Sequence, residues 1–256
     1  MASGFTYLIT GANRGIGQGL VATFLQEPST TVIAAVRDVF TESAKALEFL
    51  PRAEGSRLII IKIDSAVEND AAEAADALVS KHGVSSLDVV IANAGISHSG
   101  TSIAKTPAST LLEHISINVV APIQLFQATA PLLRASQSGR PTFVALTSVV
   151  GSIGGMELLK ELPPALSPYG GSKAALNWFI RRLHFEETWL TSFVIHPGLV
   201  LTDMAEQTFG AAGVDPRTIG GIEIEESVQG IASRIRSATK DISGTFQTYD
   251  GQVLPW

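Results

Sequence analysis

Tyr169-Gly170-Gly171-Ser172-Lys173 sets a phenol and an ammonium four residues apart. On a helix that spacing puts both side chains on one face as near neighbours. A free phenol has a pKa of about 10, and a nearby positive charge stabilises its phenolate. Lys173, with any further positive charge bound beside it, would lower Tyr169 towards neutral pH. The phenol then serves as general base in alcohol oxidation, or in reverse as general acid in carbonyl reduction. A tyrosine and a lysine at this spacing arise often by chance, so the pair needs support. Ser148 ends the apolar run Phe143-Val144-Ala145-Leu146-Thr147, where its hydroxyl can hydrogen-bond a substrate oxygen as charge develops. Asn118 lies in His114-Ile115-Ser116-Ile117-Asn118-Val119, and a helix interior disfavours asparagine unless it has a task.

These residues must be held by a scaffold, and the chain reads as an alternation of short apolar runs with helical stretches. Strands are expected at 5–10, 31–37, 57–63, 87–92, 141–147, 191–196 and 244–249. The clearest helical patterns run from Gly15 to Gln26, Asn69 to Lys81, Leu111 to Arg134 and Tyr169 to Thr188. Right-handed crossovers between such strands give an α/β fold: a doubly wound, seven-stranded parallel Rossmann sheet with helices on both faces. With 256 residues, one dinucleotide-binding and catalytic domain over 1–256 is expected. Two long loops follow strand ends, where open α/β sheets bind ligands: Gly151 to Pro168 and Gly198 to Gly221.

Thr10-Gly11-Ala12-Asn13-Arg14-Gly15-Ile16-Gly17 follows the first strand and opens the first helix. Glycines there admit a tight turn and bring backbone N–H groups close to a pyrophosphate at a helix N-terminus. The spacing is one residue longer between the first two glycines than in the usual dinucleotide fingerprint. With the Tyr–Lys pair, this turn resembles that of the short-chain dehydrogenase/reductase family, in its single-domain branch. The segments Leu183-His184-Phe185-Glu186, Trp189-Leu190-Thr191 and Asp250-Gly251-Gln252-Val253-Leu254-Pro255-Trp256 are similar to those of fungal ketoreductases and carbonyl reductases within it.

The resemblance implies four catalytic positions: Asn118, organising a proton-relaying water near the lysine, with Ser148, Tyr169 and Lys173. It implies that Asp64 contacts the adenine, that Asn93-Ala94-Gly95 ends the fourth strand beside the cofactor, and that Pro197, Gly198 and Thr202 hold the nicotinamide amide. In NAD-preferring relatives an acid closes the second strand. Here Val36 stands in that place and Arg37 follows. Arg37 and Arg14 can instead grip a 2′-phosphate, so NADP(H) is the expected cofactor. Asp38 lies beyond the strand end and reads as a loop or capping residue. Enoyl reductases of the superfamily put six residues between Tyr and Lys rather than three, which favours carbonyl over carbon–carbon double-bond reduction.

Composition narrows the partners. Cysteine is absent, which excludes disulfides and thiolate sites, and the net charge of −6 argues against nucleic acid or an anionic membrane surface. No run of about 18 apolar residues suggests a bilayer span, and no basic, cleavable leader opens the sequence, so the cytoplasm is expected. Ile153, Met156, Leu158, Leu159 and Leu162 in the first long loop, with Met204 and Phe209 in the second, suggest an apolar lid over a ketone. His196 reads as structural and His98 as a candidate substrate contact. Trp256 buries against the fold or against a partner subunit. By resemblance a homodimer or homotetramer is expected. The competing reading is a non-catalytic NADP(H) sensor on the same fold.

Overall fold

A computed structural model describes residues 4–97 and 101–256. Seven parallel strands form one sheet in the order β3-β2-β1-β4-β5-β6-β7. They are β1 (Thr6–Thr10), β2 (Thr31–Val36), β3 (Arg57–Lys62), β4 (Val89–Ala92), β5 (Thr142–Leu146), β6 (Thr191–His196) and β7 (Phe246–Thr248). The helices are α1 (Gly15–Leu25), α2 (Glu42–Lys45), α3 (Asp70–Ser80), α4 (Ala108–Ile115), α5 (Ala121–Arg134), α6 (Ser167–Glu186), α7 (Asp203–Gly210) and α8 (Ile224–Arg236).

The inner strands β4 and β5 are buried at every position, whereas the edge strand β3 is partly exposed. Parallel strands covered on both faces read as continuous apolar runs for this reason. Successive side chains serve opposite cores. Tyr7 and Ile9 join Leu20, Phe24 and Ile231 beneath α1 and α8, while Leu8 joins Leu78, Leu125, Phe143 and Leu176 beneath α3, α5 and α6. Strand order reverses between β1's two neighbours, β2 and β4, and a crevice opens at their carboxyl ends.

Two expected elements differ. The helix read as unbroken from Leu111 to Arg134 begins at Ala108 and contains a π turn, Ser116–Val120. Its cause is Pro122, which has no N–H for the carbonyl of Asn118 four residues back; the Ala121 N–H bonds Ser116 instead. The combined stretch Ala108–Arg134 is apolar and long enough by composition to cross a bilayer. In the fold, its Leu125, Leu132 and Leu133 are spent on the sheet. The second long loop is not wholly loop, because Thr202 caps α7 with its side chain and Asp203 and Glu206 occupy the first turn.

Candidate active site

A cleft of about 1170 Å³ runs along the carboxyl ends of the strands, larger than the roughly 300–1,000 Å³ of most small-molecule pockets. The glycine turn forms one half. Gly11 and Gly15 have φ of +63° and +52°, and a Cβ on Gly17 would lie 2.2 Å from the Gly11 carbonyl oxygen, so no other residue fits there. The first turn of α1 has neither a side-chain cap nor an acidic residue, leaving its N–H groups for an anion. The Asn13 amide donates to Ser43 Oγ at 2.7 Å, which ties the turn to α2.

Behind the turn, Asn93 donates from Nδ2 to the Thr10 carbonyl at 2.7 Å, and Thr10 Oγ1 accepts from the Asn93 and Ala94 N–H groups. The Asn93 side chain therefore shapes the turn. Arg14 and Arg37 line the same end of the cleft. Arg14 lies 4.0 Å from Asp203, both largely exposed, a pairing of little energetic weight in water. Asp38 accepts from the Phe40 N–H at 2.8 Å, as expected of a loop residue. Asp64 accepts from the Ala66 N–H, while its own N–H is held by Asp70 at 2.8 Å.

At the centre of the cleft Ser148, Tyr169 and Lys173 meet. A hydrogen bond links Ser148 and Tyr169. Lys173 is 4% exposed; its Nζ donates to the Leu146 carbonyl at 2.8 Å and sits 5.6 Å from the centroid of the Tyr169 ring. Burial pushes the Tyr169 phenol up to about 12, with the Ser148 hydrogen bond working against that rise. Burial lowers Lys173 to about 8. The expected lowering of Tyr169 by Lys173 is thus not met in the chain alone, because burial raises the phenol and the one group that works against it is Ser148.

Asn118 is fully buried and does not line the cleft. Its Oδ1 accepts from the Ile96 N–H at 2.8 Å, and both amide hydrogens are committed, to the Ile96 carbonyl and to Ser172 Oγ. Ser172 in turn donates to the Tyr169 carbonyl at 2.7 Å. The π turn aims Asn118 at the loop after β4 and at α6 together.

With this arrangement defined, comparison with known proteins places it. The family model for short chain dehydrogenases matches residues 6–212. The chain belongs to the short-chain dehydrogenase family. It is accordingly an oxidoreductase. Norsolorinic acid ketoreductase of Dothistroma septosporum is 46% identical over 98% of this chain and 92% of its own length. The norsolorinic acid ketoreductase of Aspergillus parasiticus is 42% identical over 98% and 90%. Among solved structures, NADPH-bound carbonyl reductase from chicken fatty liver superposes with a TM-score of 0.85 at 29% identity, over 99% of this chain and 100% of that one. The Sniffer carbonyl reductase of D. melanogaster gives 0.82 at 26%, over the same shares.

Every position that this family's pattern nominated for cofactor binding lines the cleft, including Gly95, Pro197, Gly198 and Thr202. The lid residues divide. Leu158, Leu159, Leu162, Met204 and Phe209 line the cleft, whereas Ile153 and Met156 face outward. His196 lines the cleft with its Nδ1 buried and unpartnered, and burial pushes it down to about 4. His98 lies outside the described residues. Trp256 packs on Phe246 of its own chain, ring centroids 5.7 Å apart.

Sequence reasoning passed over Asn177, which brackets Ser148. It accepts from Thr147 Oγ1 at 2.6 Å and donates to the Gly151 carbonyl at 3.2 Å. Its place one helical turn beyond Lys173, on the same face, was the available signal. Nothing local pointed to the Ser43 partner of Asn13.

Proposed function

We propose that this chain reduces an apolar, aromatic or polyketide-like ketone to a secondary alcohol, reversibly, with NADP(H). The observation that carries the reading is that Ser148, Tyr169 and buried Lys173 line one cleft together with the glycine turn and apolar residues of both long loops. NADPH, when bound, supplies the hydride. Gly11, Asn13, Arg14, Gly15, Ile16 and Gly17 would hold the pyrophosphate, and Arg14 and Arg37 the 2′-phosphate. Asp64 would contact the adenine, Asn93, Ala94 and Gly95 would border the cofactor, and Pro197, Gly198 and Thr202 would hold the nicotinamide amide, with Tyr169 and Lys173 alongside. The relatives named for ketone reduction and the NADPH-bound neighbour support both assignments.

The Tyr169 phenol, neutral at physiological pH even when free and raised further by burial, is in the form required of a general acid. Ser148 turns its hydroxyl to the ketone oxygen, Tyr169 donates its proton to that oxygen as negative charge builds, and Lys173 steadies the phenolate left behind. Asn118, its amide hydrogens already used, offers the main-chain carbonyl that Pro122 cannot satisfy as the acceptor for a proton-relaying water. The whole chain acts as one dinucleotide-binding and catalytic unit in the cytoplasm. Pairing of copies into a homodimer or homotetramer would cover Leu112 on α4 and Trp178 and Phe179 on α6, all exposed.

The test is a panel of aromatic and polyketide-like ketones, read by loss of NADPH absorbance, with NADH and a Tyr169→Phe variant alongside. Turnover in Tyr169→Phe should fall about 10²–10⁴-fold, the usual worth of general acid catalysis, with NADPH affinity retained. Thermal stabilisation by NADPH with no ketone turned over would instead favour the sensor. Near-parental turnover in Tyr169→Phe would remove the tyrosine from the mechanism.

A further inference from the structure

Four residues beyond Ser148, the chain makes a hinge that is closed by the far end of the sequence. Ser152 is 1% exposed; its Oγ donates to the Pro255 carbonyl at 2.6 Å and accepts from the Gly155 N–H at 2.9 Å. The Gly154 N–H donates to the Trp256 carbonyl at 2.6 Å. A Cβ on Gly154 would lie 3.0 Å from that same carbonyl oxygen and 3.2 Å from the Pro255 ring, so the two segments pack closely. The tail is itself secured, because Leu254 donates to the Phe246 carbonyl at 2.8 Å and Arg181 lies over the Trp256 ring. On its other side the hinge is continuous with the catalytic turn: Gly151 and Ser152 donate to the carbonyls of Ser148 and Val149, each at 2.9 Å.

Beyond the hinge lies the leucine-rich segment 156–166. Its only regular structure is two short 3₁₀ turns, Met156–Leu159 and Pro164–Leu166. Leu158 is 91% exposed and Met156 56%, while Leu159 and Leu162 line the cleft. A segment with so little burial has low local stability, and its position is set by what holds its ends. One end enters α6 at Ser167. The other is the Ser152 hinge.

We propose that residues 252–256, beyond the portion matched by the family model, anchor the substrate lid, and that Ser152 is the positioning residue through which this anchor sets affinity for the ketone. The proposal rests on reading the cleft as a ketone site. Substituting Ser152→Ala leaves the Pro255 carbonyl and the Gly155 N–H without their partner but touches neither the glycine turn nor Tyr169. Two readouts test it: steady-state kinetics with the best ketone of the panel, and hydrogen exchange of backbone amides in the cofactor-free protein.

In Ser152→Ala the KM for ketone should rise about tenfold, the scale of one lost buried hydrogen bond, with kcat within about threefold and NADPH Kd unchanged. Exchange across 153–166 should quicken by a similar factor while α1 stays protected. Trp256→Ala, which loosens the tail and leaves Ser152 in place, should reproduce the pattern and serves if Ser152→Ala does not fold. Unchanged exchange in 153–166 in both variants overturns the anchor. A ketone KM within twofold of the parent despite faster exchange overturns its role in substrate affinity, as does a NADPH Kd that moves in step with KM. Exchange needs no turnover, so it decides the anchor even if the parent reduces no ketone, an outcome that would sink the proposed function separately.

Discussion

Asn177→Leu removes the bracket around Ser148 while keeping the volume of the side chain. In the parent, Asn177 is 3% exposed, accepts from the Thr147 hydroxyl and donates to the Gly151 carbonyl. Thr147 and Gly151 are themselves buried, so the substitution strands one donor and one acceptor out of reach of water. At about 1.5 kcal/mol for each, the cost is ~3 kcal/mol. For a chain of this length that corresponds to a fall in Tm of roughly 6–12 °C. Ser148 sits between the two freed groups, and a displacement of its hydroxyl by about 1 Å should cost about 10–100-fold in kcat. The glycine turn lies elsewhere in the cleft, so NADPH affinity should hold. Differential scanning calorimetry and single-turnover NADPH oxidation measure the two effects separately. A Tm within 2 °C of the parent together with unaltered turnover would falsify the bracket, since stranded buried polar groups cannot be free of cost.

Two further expectations follow from the charges. Lys173 is lowered by burial to about 8 from 10.5, so between these values the unfolded chain holds a proton that the folded chain has released. Stability from this group therefore rises with pH across that window, by about 3 kcal/mol in total. The Tm of the cofactor-free protein should climb relative to that of Lys173→Met from pH 8 to 10; parallel curves for the two would contradict the assigned burial effect. Arg37→Asp sets a carboxylate near the expected 2′-phosphate and should weaken NADPH binding at least about tenfold more than NADH binding, the scale of a lost charge-assisted hydrogen bond. Isothermal titration with both nucleotides checks it, and an unchanged preference would remove Arg37 from phosphate recognition.

The strand pattern was legible because parallel strands covered on both faces leave unmistakable apolar runs, as in Thr31–Val36. The turn Gly11–Gly17 and the pair Tyr169 and Lys173 were legible because their chemistry depends on spacing within a few residues. The π turn could have been read from Pro122, whose missing N–H acts on Asn118 four positions earlier. The helix Asp203–Gly210 could have been read from Thr202 and the acids of its first turn. The tail contact was beyond such reading, since Ser152 and Pro255 lie 103 residues apart and neither residue type advertises the other.

By itself, then, the sequence determined which groups were available and how far apart along the chain they stood: a phenol, an amine, a hydroxyl, a glycine turn before a helix and no acid at Val36. Tertiary structure alone decided what those groups are worth. Tyr169 is raised and Lys173 lowered because the whole surrounding core strips water from both, an effect summed over atoms from distant segments. The Asn118 amide is consumed by Ile96 and Ser172 for the same reason: hydrogen-bond partners are chosen by proximity in space, which chain spacing does not encode.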